Sequence, residues 1–172
     1  MKMVPLHGEK AAGRFALVDD ADYEMVMQYR WHAEAVKGSV TLYAQANITK
    51  PDGKHTTIRM HVLIAGYKPR TDHIDGDGLN NQRSNLRPAT YRQNNHNMRA
   101  RRPNVNSARH VSQYKGVTWK ESGSRWRARI VIDGKEVGLG TFISELAAAQ
   151  AYDAAAREAF GEYAKTNFPK TT

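Results

Sequence analysis

The chain has 172 residues, no cysteine, a hydrophobic fraction of 40% and a formal net charge of +9 at neutral pH. That length suits one ordinary domain or two small ones, and the apolar content supports a real core, which excludes wholesale disorder. Disulfides and cysteine-ligated zinc are excluded, and no apolar run approaches the roughly 20 residues that span a bilayer. The opening MKMVPLHGEK lacks the apolar stretch of a signal peptide, so the expectation is a cytoplasmic protein without membrane association.

In chain order, RFALVDDADYEMVMQYRWHAEA reads as a short strand, an acidic turn at Asp19, Asp20 and Asp22, then a short helix or irregular turn ending near Trp31. SVTLYAQANI and HTTIRMHVLI read as two strands joined by ITKPDGK, where Pro51-Asp52-Gly53 is strong turn chemistry. TDHIDGDGLNNQRSNLRPA is a long polar loop, and loops of that length inside domains carry function or lack order. Thr90 then caps a helix running from Tyr91 to about Ala100.

The register changes beyond that helix. RRPNVNSARHVS, broken by Pro103, reads as a basic linker. YKGVTW, RWRARIVI and VGLGTF follow as three strands whose connections, KESGS and DGKE, carry hairpin signals. Ser144 caps a final helix, ELAAAQAYDAAAREAF, which Gly161 stops. Its residues Ala148, Ala149, Tyr152, Ala155, Ala156 and Ala159 share one face, small enough for a sheet to pack close. From Arg99 to Arg129 only Glu121 is acidic, while Arg99, Arg101, Arg102, Arg109, Lys115, Lys120, Arg125, Arg127 and Arg129 are basic. Interleaved with Tyr114, Trp119 and Trp126, this density is the footprint expected of a phosphate-backbone partner.

TDHIDGDGLNN concentrates a histidine and three aspartates with little apolar content. A calcium loop of the EF-hand kind fails: counting from Asp75 puts Leu79, Asn80 and Leu86 at positions 5, 6 and 12, and counting from Asp72 puts Ile74 at position 3. Zinc hydrolysis lacks an H-E-x-x-H pair. Metal-assisted phosphodiester cleavage needs a base and a few hard oxygen ligands. Asp72 is a good Mg²⁺ ligand, His73 has a pKa suited to general-base work, and Asn94 or Asn95 offers a second oxygen one turn into the helix. Asp75 and Asp77 read as turn formers around Gly76 and Gly78, and Asn80, Asn81 and Asn95 as loop and cap residues. His61 is read as a core histidine in an apolar strand, or else a catalytic contact; His96 as a solvated helix residue, or else a substitute ligand.

D-H-I-D-G-D-x-L-N-N-x-R-S-N-L-R, followed by T-Y-R-Q-N-N-H-N, resembles the HNH nuclease motif, most of all that of phage-type HNH homing endonucleases with their ββα-metal fold. The resemblance covers about residues 14 to 98. It implies His73 as the general base and Asn85 as the middle asparagine that fixes the loop and orients the imidazole. It also implies Asp72 and Asn94 as ligands of a divalent metal, Mg²⁺ with Mn²⁺ able to substitute. An asparagine stands where the family's third letter is often histidine. Arg87 contacts a phosphate or forms a structural ion pair; both readings stay open.

Y-K-G-V-T-W, R-W-R-A-R-I, V-G-L-G-T-F, E-L-A-A-A-Q-A-Y-D-A-A-A and T-N-F-P resemble the Apetala-two/ethylene-response-factor DNA-binding domain over about residues 112 to 169. That family lays a three-stranded sheet in the major groove. Alternation puts Arg125, Arg127 and Arg129 on one face, against Trp126, Ala128 and Ile130 on the other. The resemblance adds Lys115, Thr118 and Lys120 as first-strand contacts. Thr118 and Gly138 depart from plant members, so their sequence preference does not transfer.

The expected class is α+β: an HNH domain over residues 1–98, a basic linker over 99–111, and a three-stranded antiparallel sheet on one helix over 112–172. The expected function is metal-dependent, site-specific cleavage of double-stranded DNA by a monomer without protein partners. The alternative is a DNA-binding regulator with a degenerate HNH domain; a basic RNA-binding protein lacks its aromatic motif.

Overall fold

Strands β1 (Lys2–Pro5) and β2 (Phe15–Val18) pair antiparallel, Lys2 opposite Val18 and Pro5 opposite Phe15. The protein is seen in a computed structural model that describes residues 1–35, 41–66, 70–97 and 111–168. It is α+β, with small antiparallel sheets and few helices. Two units divide it, Met1–Arg92 and Gln93–Thr172. The basic segment expected as a linker lies outside the described residues except for Val111.

In the first unit the acidic turn forms a 3₁₀ turn, Asp20–Asp22, and leads into the one-turn helix α1 (Tyr23–Val26). Strands β3 (His32–Ala35), β4 (Leu42–Thr49) and β5 (His55–Arg59) form a second sheet in that order. Period-2 alternation sends Ala33, Ala44 and Ala46 to the core, while Asn47, Thr49, His55, Thr57 and Arg59 are exposed. Trp31 is the largest buried side chain and its indole donates to the Val26 carbonyl at 2.7 Å. Around it pack Val4, Val18, Val26, Met60 and Ile64. Truncating a tryptophan so placed costs about 3–5 kcal/mol.

One expectation fails here. HTTIRMHVLI is not one strand: β5 ends at Arg59 and helix α2 (Met60–Ala65) begins at once, so His61 is helical. Met60 and Ile64, four apart, are buried, which is the spacing of a helical face. Gly66 stops the helix with φ 63, donating its N–H to the Val62 carbonyl at 3.0 Å. The chain then forms β6 (Thr71–His73) and β7 (Leu86–Pro88), antiparallel partners, and helix α3 (Tyr91–His96) crosses the division between the units. Thr90 immediately precedes α3, and Met98–Ala100, to which that helix was expected to run, lie outside the described residues.

In the second unit β8 (Val117–Lys120), β9 (Arg125–Ile132) and β10 (Lys135–Phe142) form a sheet of order β10-β9-β8, all antiparallel. Asp133 and Gly134 both take positive φ, 51 and 80, as the tight turn between β9 and β10 requires. Helix α4 (Glu145–Phe160) packs on this sheet, its N-terminus capped by Ser144, whose hydroxyl accepts from the Ala147 N–H. Ala148, Ala149, Tyr152 and Ala156 are buried as the spacing implies, but Ala159 is exposed, because the buried stripe does not reach the helix's last turn. Buried Asp153 holds down the chain's later segment. It accepts from the Asn167 and Phe168 backbone N–H groups at 2.8 and 2.9 Å, and from the Asn167 amide at 3.0 Å. Asn167 in turn bonds both backbone groups of Lys115.

Gly116 has φ +78, and a Cβ there would stand 1.9 Å from the Tyr152 ring. Gly116→Ala therefore combines left-handed strain with a clash against a buried ring, and the expected cost is about 2 kcal/mol or more. Thermal unfolding followed by near-UV circular dichroism checks it; an unchanged midpoint would mean that Tyr152 moves aside freely.

Candidate functional site

The loop between β6 and β7 is held from several sides, and the holding residues explain its polarity. Asn85 accepts from the Asp75 N–H at 3.0 Å and donates from its amide to Asp75 Oδ1 and the Asn80 carbonyl at 3.0 and 2.8 Å. Asp75 also accepts from the Asp77 N–H at 2.8 Å and the Asn80 amide at 2.8 Å, and Asp77 accepts from the Leu79 N–H at 3.0 Å. The two aspartates are turn formers, as their flanking glycines imply. The loop also joins the edge of β2: Leu17 donates to the Leu79 carbonyl and Asn81 N–H to the Leu17 carbonyl, each at 2.8 Å. The acidic turn docks alongside, Asp22 accepting from the Arg83 guanidinium at 2.9 and 2.7 Å and Asp19 from the Arg83 N–H at 2.8 Å. Gly78 has no room for a side chain, since a Cβ there would stand 2.4 Å from the Leu42 carbonyl oxygen and 2.7 Å from the Tyr43 ring.

On the hairpin itself, Asp72 stands opposite Arg87 and His73 opposite Leu86. Asp72 is 3% exposed and its Oδ2 accepts from Arg87 Nε and Nη2 at 3.0 and 2.9 Å. Of the two readings of Arg87, the ion pair is formed: its buried guanidinium faces the Asp72 carboxylate. An ion removed from water costs several kcal/mol, so Asp72 and Arg87 each need the other.

His73 is 5% exposed, and its Nε2 lies 3.4 Å from Asn81 Oδ1. The Asn81 amide donates to the Leu79 carbonyl at 3.0 Å, which turns its oxygen toward the imidazole and favours the proton on Nε2. Asn81, fully buried, was read from sequence as a loop residue; three asparagines, Asn80, Asn81 and Asn85, crowd this stretch and nothing in their spacing marks the one beside the histidine. Two further neighbours come from distant elements. The His61 ring lies edge-on to His73 at 4.8 Å between centroids, and Tyr43 approaches His73 at 5.8 Å and His61 at 5.7 Å. His61 is buried and its Nδ1 has no hydrogen-bond partner among the described residues.

Burial sets the electrostatics. It pushes the His61 pKa down to about 3, reinforced by His73 and Arg59. It also lowers His73, against the Asn81 bond and the Asp75, Asp72 and Asp77 charges, which pull the other way. Burial would raise Asp75, but its bonds from Asp77, Asn80 and Asn85 overcome that and hold it below the ordinary range. A neutral imidazole among carboxylates is an acceptor for a proton at neutral pH.

The site residues read from sequence divide accordingly. Asp72, His73, Asn85 and Arg87 meet on one hairpin and its loop, whereas half-buried Asn94 lies on α3 within the second unit. Among the described residues, no group of three or more histidine, aspartate or glutamate side chains converges to hold a metal. The donors read from sequence are a carboxylate and an amide, hard oxygens that suit Mg²⁺ and leave most of its positions to water or phosphate.

On the second unit's sheet, Arg125, Arg127 and Arg129 are exposed on one face, with Lys120 opposite Arg125 and Thr118 opposite Arg127. The other face carries Val117, Ala128 and Ile130 into the core, with Trp119 and Trp126 paired at 5.0 Å between ring centroids. Lys115 is not displayed with the arginines: it is half-buried, its ammonium donates to the His96 carbonyl at 2.7 Å, and burial lowers its pKa to about 8. His96, in the same unit, stacks on Phe160 at 3.8 Å.

No protein-family model matches the chain. An uncharacterized HNH endonuclease of Acanthamoeba polyphaga mimivirus is 31% identical over 161 residues, covering 92% of this chain and 77% of the viral protein. An AP2/ERF and B3 domain-containing protein of Oryza sativa subsp. japonica is 48% identical over 68 residues, 40% of this chain and 18% of its own length. An AP2-like ethylene-responsive transcription factor of Arabidopsis thaliana is 46% identical over 70 residues, 40% of this chain and 12% of its own length. The chain thus spans less than a fifth of these plant relatives. Among the described residues no helix is long and apolar enough to cross a membrane.

A buried neutral histidine makes stability depend on pH with a definite sign. Below about 6.5 the unfolded chain protonates at His61 while the folded chain does not until about pH 3, so stability falls as pH drops through that window. The slope is about 1.4 kcal/mol per pH unit for each such group. His61→Phe is expected to flatten it by about that amount. Urea unfolding in EDTA at pH 7 and pH 5 reads the difference; equal losses in both proteins would show that His61 ionises in the folded state.

Proposed function

The chain belongs to the HNH endonuclease family, with a second segment of AP2/ERF likeness, and from that premise we propose that it is a metal-dependent, site-specific endonuclease of double-stranded DNA. The observation that carries the reading is the buried, neutral His73 placed beside the Asp72–Arg87 pair on one rigid hairpin. In this reading β6, the loop, β7 and α3 are the ββα element of the family, and the sheet of β8, β9 and β10 supplies the DNA-reading surface.

His73 takes a proton from the attacking water at its Nδ1, since the Asn81 oxygen engages Nε2–H. Water oxygen then bonds to phosphorus as the P–O3′ bond breaks, leaving a 5′ phosphate and an O3′ that takes a proton from solvent to become the 3′ hydroxyl. Asn81 fixes the imidazole's orientation, and Asn85 acts one step back, by holding the loop that carries Asn81. Arg87 fixes the Asp72 carboxylate in place and balances its charge, so its contribution to catalysis is positioning. A divalent cation, Mg²⁺ with Mn²⁺ able to substitute, would be held by Asp72 and Asn94 and supply charge stabilisation of the phosphorane and of the leaving O3′. Arg125, Arg127, Arg129, Lys120 and Thr118 contact phosphates and base edges.

His73→Ala is expected to abolish cleavage of a randomised supercoiled plasmid pool in Mg²⁺ or Mn²⁺ while changing DNA affinity less than about twofold. Cutting retained by the variant, or surviving EDTA, would remove His73 or the metal from the reaction; tight binding without cutting by the wild type would favour a DNA-binding regulator. Arg125→Glu with Arg127→Glu is expected to lower affinity for duplex DNA by at least about a hundredfold at moderate salt. Unchanged affinity would show that the sheet is not the reading surface.

A further inference from the structure

The exposed face of the second unit's sheet holds an acid where a simple phosphate-binding surface would have none. Glu136 stands on β10, and each of its carboxylate oxygens accepts from a different arginine: Oε1 from Arg127 Nη2 at 2.9 Å and Oε2 from Arg129 Nη1 at 2.5 Å. The register makes this reach possible. Arg129 lies opposite Gly138 and Arg127 opposite Thr141, with the register shift between Gly138 and Gly140 intervening, so β10 offers only small side chains beside the two arginines. A Cβ at Gly138 would meet nothing within 4 Å. The guanidiniums lie along this open strip toward Glu136, and the three side chains remain 39–46% exposed.

Such a cluster offers donors and an acceptor side by side. A phosphate backbone presents acceptors only, so it must separate the arginines from Glu136 and then faces a carboxylate. A G·C pair in the major groove presents a different pattern: guanine O6 and N7 accept from arginine, and the cytosine N4 amine donates to a carboxylate. We infer that Glu136 is a specificity-determining residue of this face, one that weakens backbone binding by Arg127 and Arg129 and turns the three side chains into a reader of G·C pairs. The inference rests on the DNA-binding reading of the sheet. The exposed ion pairs are themselves weak, so the clamp opens at little cost where a matching base pair replaces it.

The test is binding by full-length protein in EDTA, with Glu136→Gln as the variant because it keeps shape and removes charge. Two probes are used: a random-sequence duplex, and the duplex selected by wild type from a randomised pool. The variant is expected to bind the random duplex about tenfold more tightly, with a log affinity–log salt slope steeper by roughly one to two, since one or two more arginines neutralise phosphates. A selection repeated with the variant is expected to lose a G·C requirement at one or more positions that the wild type enforces. The inference is overturned where the variant matches wild type in random-duplex affinity and slope, or keeps every G·C preference. A wild type that binds no duplex, or whose binding is indifferent to Arg127→Glu, overturns the underlying reading as well, and so separates the two failures.

Discussion

A carboxylate taken out of water must find partners within the protein, and each unit is organised around one that has done so. The effective penalty for burying such a charge is still several kcal/mol after relaxation, so its bonds dictate what surrounds it. In the first unit Asp72 meets Arg87 across two short strands, and that pair fixes the register of a hairpin with only three residues on each side. In the second unit Asp153 reaches the backbone of Asn167 and Phe168, and Asn167 passes the constraint on to Lys115, at the entry to β8. Loss of one partner is costly in both: in the first unit it strands a buried charge, and in the second it leaves either the buried Asp153 carboxylate or the backbone N–H groups it satisfies without a partner.

The same scarcity of water shapes the chemistry available beside Asp72. His61 and His73 pack edge to face with Tyr43, and burial disfavours a proton on either imidazole. The carboxylates of the loop oppose that for His73, which tunes it separately from His61 although the rings touch. Two histidines of similar exposure thus differ in pKa through their polar neighbours, as expected where burial and specific charges compete. Gly78 belongs to this arrangement for a steric reason: only a residue without Cβ lets the loop pass the Tyr43 ring.

Much of this was legible in the sequence wherever one local rule decides. Alternation along RWRARIVI separates the arginines from Trp126, Ala128 and Ile130, and the Asp-Gly turn fixes the hairpin that follows. Asp75 and Asp77 behave as turn formers because each caps a backbone N–H two residues on. The rest depended on tertiary contacts. RMHVLI has an apolar run too short to distinguish strand from helix, and only its burial against Trp31 and Val26 settles it as α2. Asn81 was hidden among equivalent asparagines, and Arg87 was ambiguous because phosphate and carboxylate offer a guanidinium the same geometry. The docking of Asp19 and Asp22 onto Gln82 and Arg83 joins segments some sixty residues apart, which no local pattern encodes.

Arginine is put to opposite uses in the two units, and environment alone makes the difference. Arg87 is buried and pairs with the Asp72 carboxylate, to which it gives a direction. Arg125, Arg127 and Arg129 stand on an open sheet where ion pairs are weak and exchange readily. A catalytic centre needs the first arrangement, since a ligand or base displaced by an ångström loses most of its effect. A surface that must sample many sequences before settling on one needs the second, since contacts too strong for any backbone would hold the protein at the wrong site. On the proposed reading, placing both on one chain would let the histidine-bearing hairpin draw residence on DNA from the sheet, because tethering converts the second encounter into an intramolecular one.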